Sequence, residues 1–296
     1  MKIKNPGIKA AVIGGSGAYR QSRGNWGREG EVVEIATPFG FAAPLHLFSP
    51  PDTAPFIFLS RHGETGYQIS APFVNYRANI WALKEMGIER IISWSGPGAI
   101  SPKFKPGEYV IPHDLIDFTK NRSSTFYSKG GLGFIRQNQP FCPQGRQALL
   151  DTLNDAGLTA HPQGVYLCTE GPRLETGAEI SYFSQTGADM VGMTLIPEAF
   201  LARELEMCYS ALCYITNYAE GIKDLPYRGG ELFEGTLPCS EADRVKNSLW
   251  QIGNLLPQFV ERLLQSERTC HCPEAMLRYK KRGDIGPDWH EWVSIP

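Results

Sequence analysis

The stretch from Asp189 to Thr216 constrains the fold more tightly than any other part of the chain. DMVGM (Asp189 to Met193) and ALCYIT (Ala211 to Thr216) are short apolar runs of strand length. PEAFLARELEMCY between them reads as helix, with Pro197 where a first helical residue would stand. A strand, a helix and a second strand in so short a span predict a right-handed crossover joining a parallel pair, with both strands ending on the same sheet edge. Thr194 and Asn217 are then expected side by side. Upstream, Thr176 and Glu179 have capping-box spacing, which starts a helix and leaves Glu175 in the loop before it, able to face a ligand.

The first third of the chain repeats this logic. IKAAVIGGSG is a buried strand running into a glycine turn, FIFLSRHG a strand ending at Arg61 and His62, and RIISWSGPG a strand ending at Ser95 and Gly96. In open parallel α/β sheets ligands sit beyond the carboxyl ends of the strands, so Ser16, Arg61, His62, Ser95 and Thr194 are expected to converge on one crevice. A permanent cation, a histidine, hydroxyls and glycine-rich amides suit an oxyanion such as phosphate. Plainer roles stand beside these: the serines could serve tight turns, Arg61 could pair with a carboxylate, and Glu175 could simply favour a helix N-terminus.

At 296 residues, with no low-complexity linker before the C-terminal tail, the chain reads as a single α/β domain. Its 42% hydrophobic and 20% charged content is that of a globular protein with a sizeable core. A net charge of -2 argues against a nucleic-acid surface, and the basic cluster at Lys280, Lys281 and Arg282 is offset by Asp284 and Asp288. No run approaches the ~18 apolar residues of a membrane helix, and MKIKNPGIKA lacks the apolar core of a signal peptide, so a cytoplasmic protein without membrane contact is expected. Cys168, Cys208 and Cys213 lie in apolar segments as small hydrophobes. Cys270 and Cys272 flank His271, but no second Cys/His cluster stands at ligand spacing, so no metal is expected. Trp81, Leu83 and Met86 are read as helix core.

The string LSRHGET (Leu59 to Thr65) resembles the active-site signature of the histidine phosphatase and phosphoglycerate mutase superfamily, whose phosphorylated histidine would be His62. There the motif ends the first strand of the domain. Here AVIGGSG supplies a complete strand and glycine turn well before it, so the context does not match. Over a longer span, from about Ile8 to Leu264, the chain resembles the trimeric purine nucleoside phosphorylases, and within them the methylthioadenosine and methylthioinosine phosphorylase branch. The matching pieces, in the family's order, are VIGGSG, RHG, VNYRANIWALKEMGIERII, SGPGAI, KPGEYVIP, LIDFTKNRSSTFY, CTEGPRLET, VGMTLIPEAFLARE and TNYAEG.

The resemblance implies a single-domain nucleoside phosphorylase fold over residues 1–265, a twisted, mixed but largely parallel sheet flanked by helices, followed by an extension at 266–296. It implies phosphate-dependent cleavage of a purine nucleoside, with inorganic phosphate as co-substrate and no other cofactor, in a homotrimer or a dimer of trimers. Ser16, Arg61, His62, Ser95 and Thr194 match the family's phosphate pocket, the group that strand-end geometry had assembled. Met193 matches the position under the ribose, Leu174 packs on the purine face, and Gly96 lies beside sugar and base. Asn217, which can donate to and accept from the purine, joins Arg61 and His62 as the residues closest to the chemistry.

Base choice turns on three positions. The methylthioadenosine enzymes are expected to carry aspartates at 217 and 219 and a small hydroxyl residue at 175. This chain has Asn217, Ala219 and Glu175. A carboxylate accepts but cannot donate, so Glu175 suits the N1-H of hypoxanthine or guanine while Asn217 donates to O6. At the sugar's 5' end, Leu225 to Val245 holds no histidine to meet a hydroxyl, and Phe134 matches a position that reaches a neighbouring subunit's pocket, which favours a methylthio group. Tyr67 falls roughly where a histidine near the sugar stands in related enzymes. Trp289 and Trp292 predict that the tail docks on something apolar, its own domain or a neighbouring subunit.

Overall fold

The computed structural model describes residues 7–21, 23–128 and 131–293. Among these residues an eight-stranded sheet has the spatial order β11 (Ala160–His161), β9 (Tyr109–Val110), β14 (Cys208–Tyr214), β7 (Arg90–Ser95), β1 (Ala10–Gly14), β6 (Phe56–Ser60), β5 (Leu45–Ser49) and β2 (Arg28–Val33). Its centre, from β14 through β7 and β1 to β6, is parallel. A five-stranded sheet runs β10 (Asp114–Phe118), β12 (Val165–Thr169), β13 (Met190–Gly192), β8 (Gly98–Ala99) and β15 (Asn217–Tyr218), and a small ribbon pairs β3 (Ala36–Thr37) with β4 (Gly40–Phe41). The expected mixed, largely parallel α/β fold is what forms.

The central strands are apolar without alternation because both faces are covered. Ala11, Ile13, Ile57 and Leu59 point into the core shared with α1 (Tyr76–Glu85) and α4 (Leu195–Glu204). Ala10, Val12, Phe56 and Phe58 point the other way, toward α2 (Pro143–Asp155) and α6 (Cys239–Gln265). Trp81, Leu83 and Met86 are buried in the first of these layers, as read from the sequence. The five-stranded sheet is covered by α3 (Gly177–Gln185), whose Ile180 and Phe183 pack on Leu167 and Val191. This helix starts as predicted: Thr176 accepts from the Glu179 amide, and the Glu179 carboxylate accepts from the Thr176 amide.

One prediction fails. The strands on either side of α4 are not partners, because β13 pairs with β12 and β8 in the small sheet, while both edges of β14 are taken by β7 and β9. A crossover helix fixes handedness only when both strands enter one sheet, and the sequence pattern does not say whether they do. The helix also ends earlier than expected, since Cys208 and Tyr209 already belong to β14. What brings the polar strand ends together is different. The chain leaves the large sheet for the small one four times, and at two of these passages, from β7 to β8 and from β14 to β15, the strands meet where the Thr216 amide donates to Pro97 O.

The tail docks on its own chain. Trp289 meets Trp81 edge-on with ring centres 4.6 Å apart, Trp292 is buried, and His290 Nε2 lies 2.8 Å from Glu85 Oε2. In α7 (Leu277–Arg282), Lys280 Nζ donates to Glu206 Oε2 at 2.5 Å, so this lysine is not merely solvated. A four-residue turn of helix, α5 (Phe233–Thr236), precedes α6. No helix among the described residues is long and apolar enough to cross a membrane.

Candidate active site

A cavity opens where the two sheets meet. Its lining brings together Ser16 from the turn after β1, Ser95 and Gly96 from the end of β7, and Leu174 and Glu175 from the loop before α3. Met193 and Thr194 follow β13, and Asn217 and Ala219 come from β15 and just beyond. Tyr67 and Phe233 complete much of the wall.

At one end of the cavity hydroxyls cluster. Ser95 Oγ lies 3.3 Å from Thr194 Oγ1 and 3.1 Å from the hydroxyl of buried Tyr166, which also accepts from the Thr194 amide at 3.4 Å. Among the base-side candidates, Glu175 Oε1 accepts from Thr169 Oγ1 at 2.6 Å, which fixes the carboxylate and leaves its other lone pairs free for a donor. Asn217 Oδ1 accepts from Thr216 Oγ1 at 2.7 Å, and Nδ2 donates to Tyr218 O at 2.8 Å. That leaves one N–H and one lone pair of the amide for a ligand.

Arg61 and His62 lie one layer behind this lining. Arg61 is 1% exposed, with Nε 2.5 Å from Glu198 Oε1 and Nη2 2.9 Å from Glu198 Oε2 and 2.6 Å from Ser93 Oγ. Burial opposes its charge, but the Glu198 carboxylate more than restores it, so the guanidinium stays cationic. The alternative of a carboxylate partner is therefore the arrangement present. The guanidinium still approaches the glycine turn after β1: a Cβ on Gly15 would stand 3.1 Å from Arg61 Nη1 and collide with the Trp94 carbonyl, so only glycine fits there.

His62 stacks on Tyr67 with ring centres 4.3 Å apart, and Tyr67 rather than His62 forms the cavity wall. Its Nδ1 faces Ile69 O at 2.8 Å and must carry the proton, which leaves buried Nε2 as an unpartnered acceptor among the described residues. Burial and the adjacent Arg61 charge push its pKa down to about 4, so the ring is neutral at neutral pH. The unfolded imidazole takes up a proton near its ordinary 6.5, so as pH falls from there toward 4 the unfolded state binds the extra proton and stability drops. From this group about 2 kcal/mol is expected to be lost between about pH 7.5 and pH 5. Glu204, raised to about 7 by burial, acts in the opposite sense over the same window. Urea unfolding of the wild type and His62→Gln at both pH values cancels the Glu204 part, and identical pH dependences would refute the neutral, buried His62.

Sequence reasoning missed the residues that hold these groups in place. Arg122 Nη1 donates to Met193 O at 2.5 Å and Ile196 O at 2.7 Å, and its Nη2 donates to Glu170 O at 2.6 Å. One buried guanidinium thus ties the loop bearing Leu174 and Glu175 to the one bearing Met193 and Thr194. It lay within the quoted LIDFTKNRSSTFY, but nothing local marks it as inward-facing. Glu198 was legible only as an acid in a helix first turn. Phe134 is 74% exposed and far from lining its own chain's cavity, and its amide donates to Tyr279 Oη in the tail at 2.9 Å.

No second Cys/His cluster stands at ligand spacing in the sequence, yet Cys142 and Cys208 join Cys270 and Cys272 in space. Sequence spacing could not show this, because the four come from three separate elements.

Residues 9–237 match the family model described as "Phosphorylase superfamily". The chain is 40% identical over 276 residues to the 6-oxopurine nucleoside phosphorylase of Pyrococcus furiosus, covering 90% of this chain and 97% of that protein. It is 37% identical over 270 residues to the probable S-methyl-5'-thioinosine phosphorylase of Thermodesulfovibrio yellowstonii, covering 91% and 96%. Among solved structures, a methylthioadenosine phosphorylase from an antarctic soil metagenomic library superposes with a TM-score of 0.78 at 30% identity, covering 92% of this chain and 91% of that one. A family model spanning most of the chain, relatives aligned almost end to end and a shared fold agree: this chain belongs to the phosphorylase superfamily.

Proposed function

We propose that the chain is a purine nucleoside phosphorylase that cleaves the N-glycosidic bond of 6-oxopurine nucleosides with inorganic phosphate, giving free base and a sugar 1-phosphate. The observation that carries this reading is a carboxylate and an amide, Glu175 and Asn217, in one cavity with the hydroxyls of Ser16, Ser95 and Thr194. The relative named a 6-oxopurine nucleoside phosphorylase supports it.

In such a site the C1'–N9 bond stretches toward an oxocarbenium-like sugar while phosphate closes on C1'. The protein holds the two reactants in line and stabilises the charge that builds on the departing base. Ser16, Ser95 and Thr194 supply donors to phosphate, backed by the charge of Arg61. Neutral His62 offers Nε2 as an acceptor for a phosphate O–H once Tyr67 yields. Asn217 donates to O6 and Glu175 accepts from N1-H, so electron density flowing into the purine meets a fixed donor. Met193 lies under the ribose and Leu174 against the purine. Phe134, exposed on its own chain, reaches a neighbour's 5' pocket in a homotrimer, where its ring favours a methylthio group over a hydroxyl.

Free base released from inosine, guanosine, methylthioinosine and methylthioadenosine, with and without phosphate, tests the reading. Hypoxanthine and guanine are expected only when phosphate is present, with methylthioadenosine disfavoured by roughly 100-fold in kcat/KM. No phosphate-dependent release of any base would overturn it.

A further inference from the structure

Cys142 caps the start of α2, Cys208 opens β14, and Cys270 and Cys272 sit in the tail between α6 and α7. Their sulfurs all lie within 4.8 Å of one another, with Cys208 Sγ and Cys270 Sγ 3.4 Å apart, and all four are free thiols. Cys142, Cys208 and Cys272 are buried and Cys270 is half-buried. Four sulfurs at about 2.3 Å from a single tetrahedral ion stand about 3.8 Å from each other, a separation that lies between the 3.4 Å of the Cys208–Cys270 pair and the 4.8 Å bound on all four. The surroundings are organised for the same purpose. Arg268 Nε donates to Cys208 Sγ at 3.2 Å, a cation beside what would be a doubly negative four-thiolate centre. Gln144 Oε1 accepts from the Thr269 and Cys270 amides at 3.1 and 3.0 Å, fastening the tail's loop to α2 before any ion arrives. His271 points away, paired with Glu274 at 2.9 Å, so the ligand set is sulfur alone.

We infer that these cysteines hold one zinc ion as a structural clasp between the domain and its C-terminal extension. Zinc fits because four thiolates in a closed, largely buried tetrahedron leave no open position for substrate or water, the signature of a structural rather than a catalytic ion. Two ligands come from the domain and two from the tail, so binding energy is spent on docking the tail. The docked tail in turn presents Tyr279 to the Phe134 loop, which the metal therefore steadies at a distance. The site shares no residue with the cavity, and the inference stands whatever that cavity binds.

Metal analysis of the chain, purified without immobilised metal and left unalkylated, is expected to show about one zinc per chain, while a parallel sample alkylated at lysis records the thiol state. Cys270→Ser and Cys272→Ser lose it, whereas Cys239→Ser, an exposed cysteine outside the cluster, keeps it. Arg268→Ala is expected to give zinc up to a competing chelator about 10- to 100-fold more readily. Should the serine variants fail to fold, cobalt added to the zinc-stripped wild type carries the test, with the intense thiolate charge-transfer and tetrahedral ligand-field bands expected. Disulfides among these four in the lysis-alkylated protein overturn the inference. So does a reduced chain that takes up neither zinc nor cobalt.

Discussion

Replacing Glu198 with alanine is expected to destabilise the folded chain by about 3–5 kcal/mol, because it strands a buried guanidinium without a counter-charge. Arg61 has no exposed side-chain surface, and Glu198 is 1% exposed. Beyond the two contacts to Arg61, Glu198 Oε2 accepts from Tyr209 Oη at 2.6 Å and Ser93 Oγ at 3.2 Å, so the truncation unsatisfies three partners at once. Ser93→Ala removes a donor to Glu198 and an acceptor from Arg61 Nη2 but leaves the ion pair intact, and should cost about 2 kcal/mol. The double replacement Arg61→Met with Glu198→Leu should recover most of the loss, since two apolar side chains need no desolvation of charge. Urea midpoints of the four proteins decide it, and an unchanged midpoint for Glu198→Ala would mean the pair is not buried as described. The double variant separates structure from function. If it folds but binds phosphate poorly, the Arg61 charge matters at the Gly15 turn despite its pairing.

That pair marks where sequence reading stops. Strand ends, the glycine turn and the Thr176 capping box are local patterns, and local hydrogen-bonding rules made them legible. The convergence of Ser16 and Ser95 followed from one topological rule about parallel sheets, whereas Thr194 reaches the same cavity from the second sheet. Arg61 was placed at its strand end correctly, but its partner lies 137 positions away and no periodicity announces it. The same holds for Arg122, whose acceptors are backbone carbonyls that a sequence does not display. The supposed pairing of β13 with β14 failed for a related reason: apolar runs identify strands but not the sheet each one joins. Cys208 read as a small hydrophobe because burial and metal ligation favour the same apolar surroundings until the tail's cysteines are seen beside it.

Asn217→Asp is expected to lower kcat/KM for 6-oxopurine nucleosides by roughly 100- to 1,000-fold, the cost of losing a preorganised donor to a developing charge. The aspartate can only accept, so O6 loses its partner while an exocyclic amino group gains one. Its carboxylate must also face the Tyr218 carbonyl to which Asn217 Nδ2 now donates, and it shares the cavity with Glu175. Two carboxylates in one pocket disfavour joint ionisation, so the variant's residual 6-oxopurine activity should rise as pH falls and one of them takes a proton able to donate. Glu175→Gln provides the contrast. It keeps an acceptor and the bond from Thr169 while removing the charge, so it should weaken 6-oxopurine turnover less and leave no such pH response. The ratio of hypoxanthine to adenine released from paired methylthio-nucleosides reads both effects. A ratio unchanged by Asn217→Asp would remove Asn217 from base selection and leave Glu175 as the residue that discriminates.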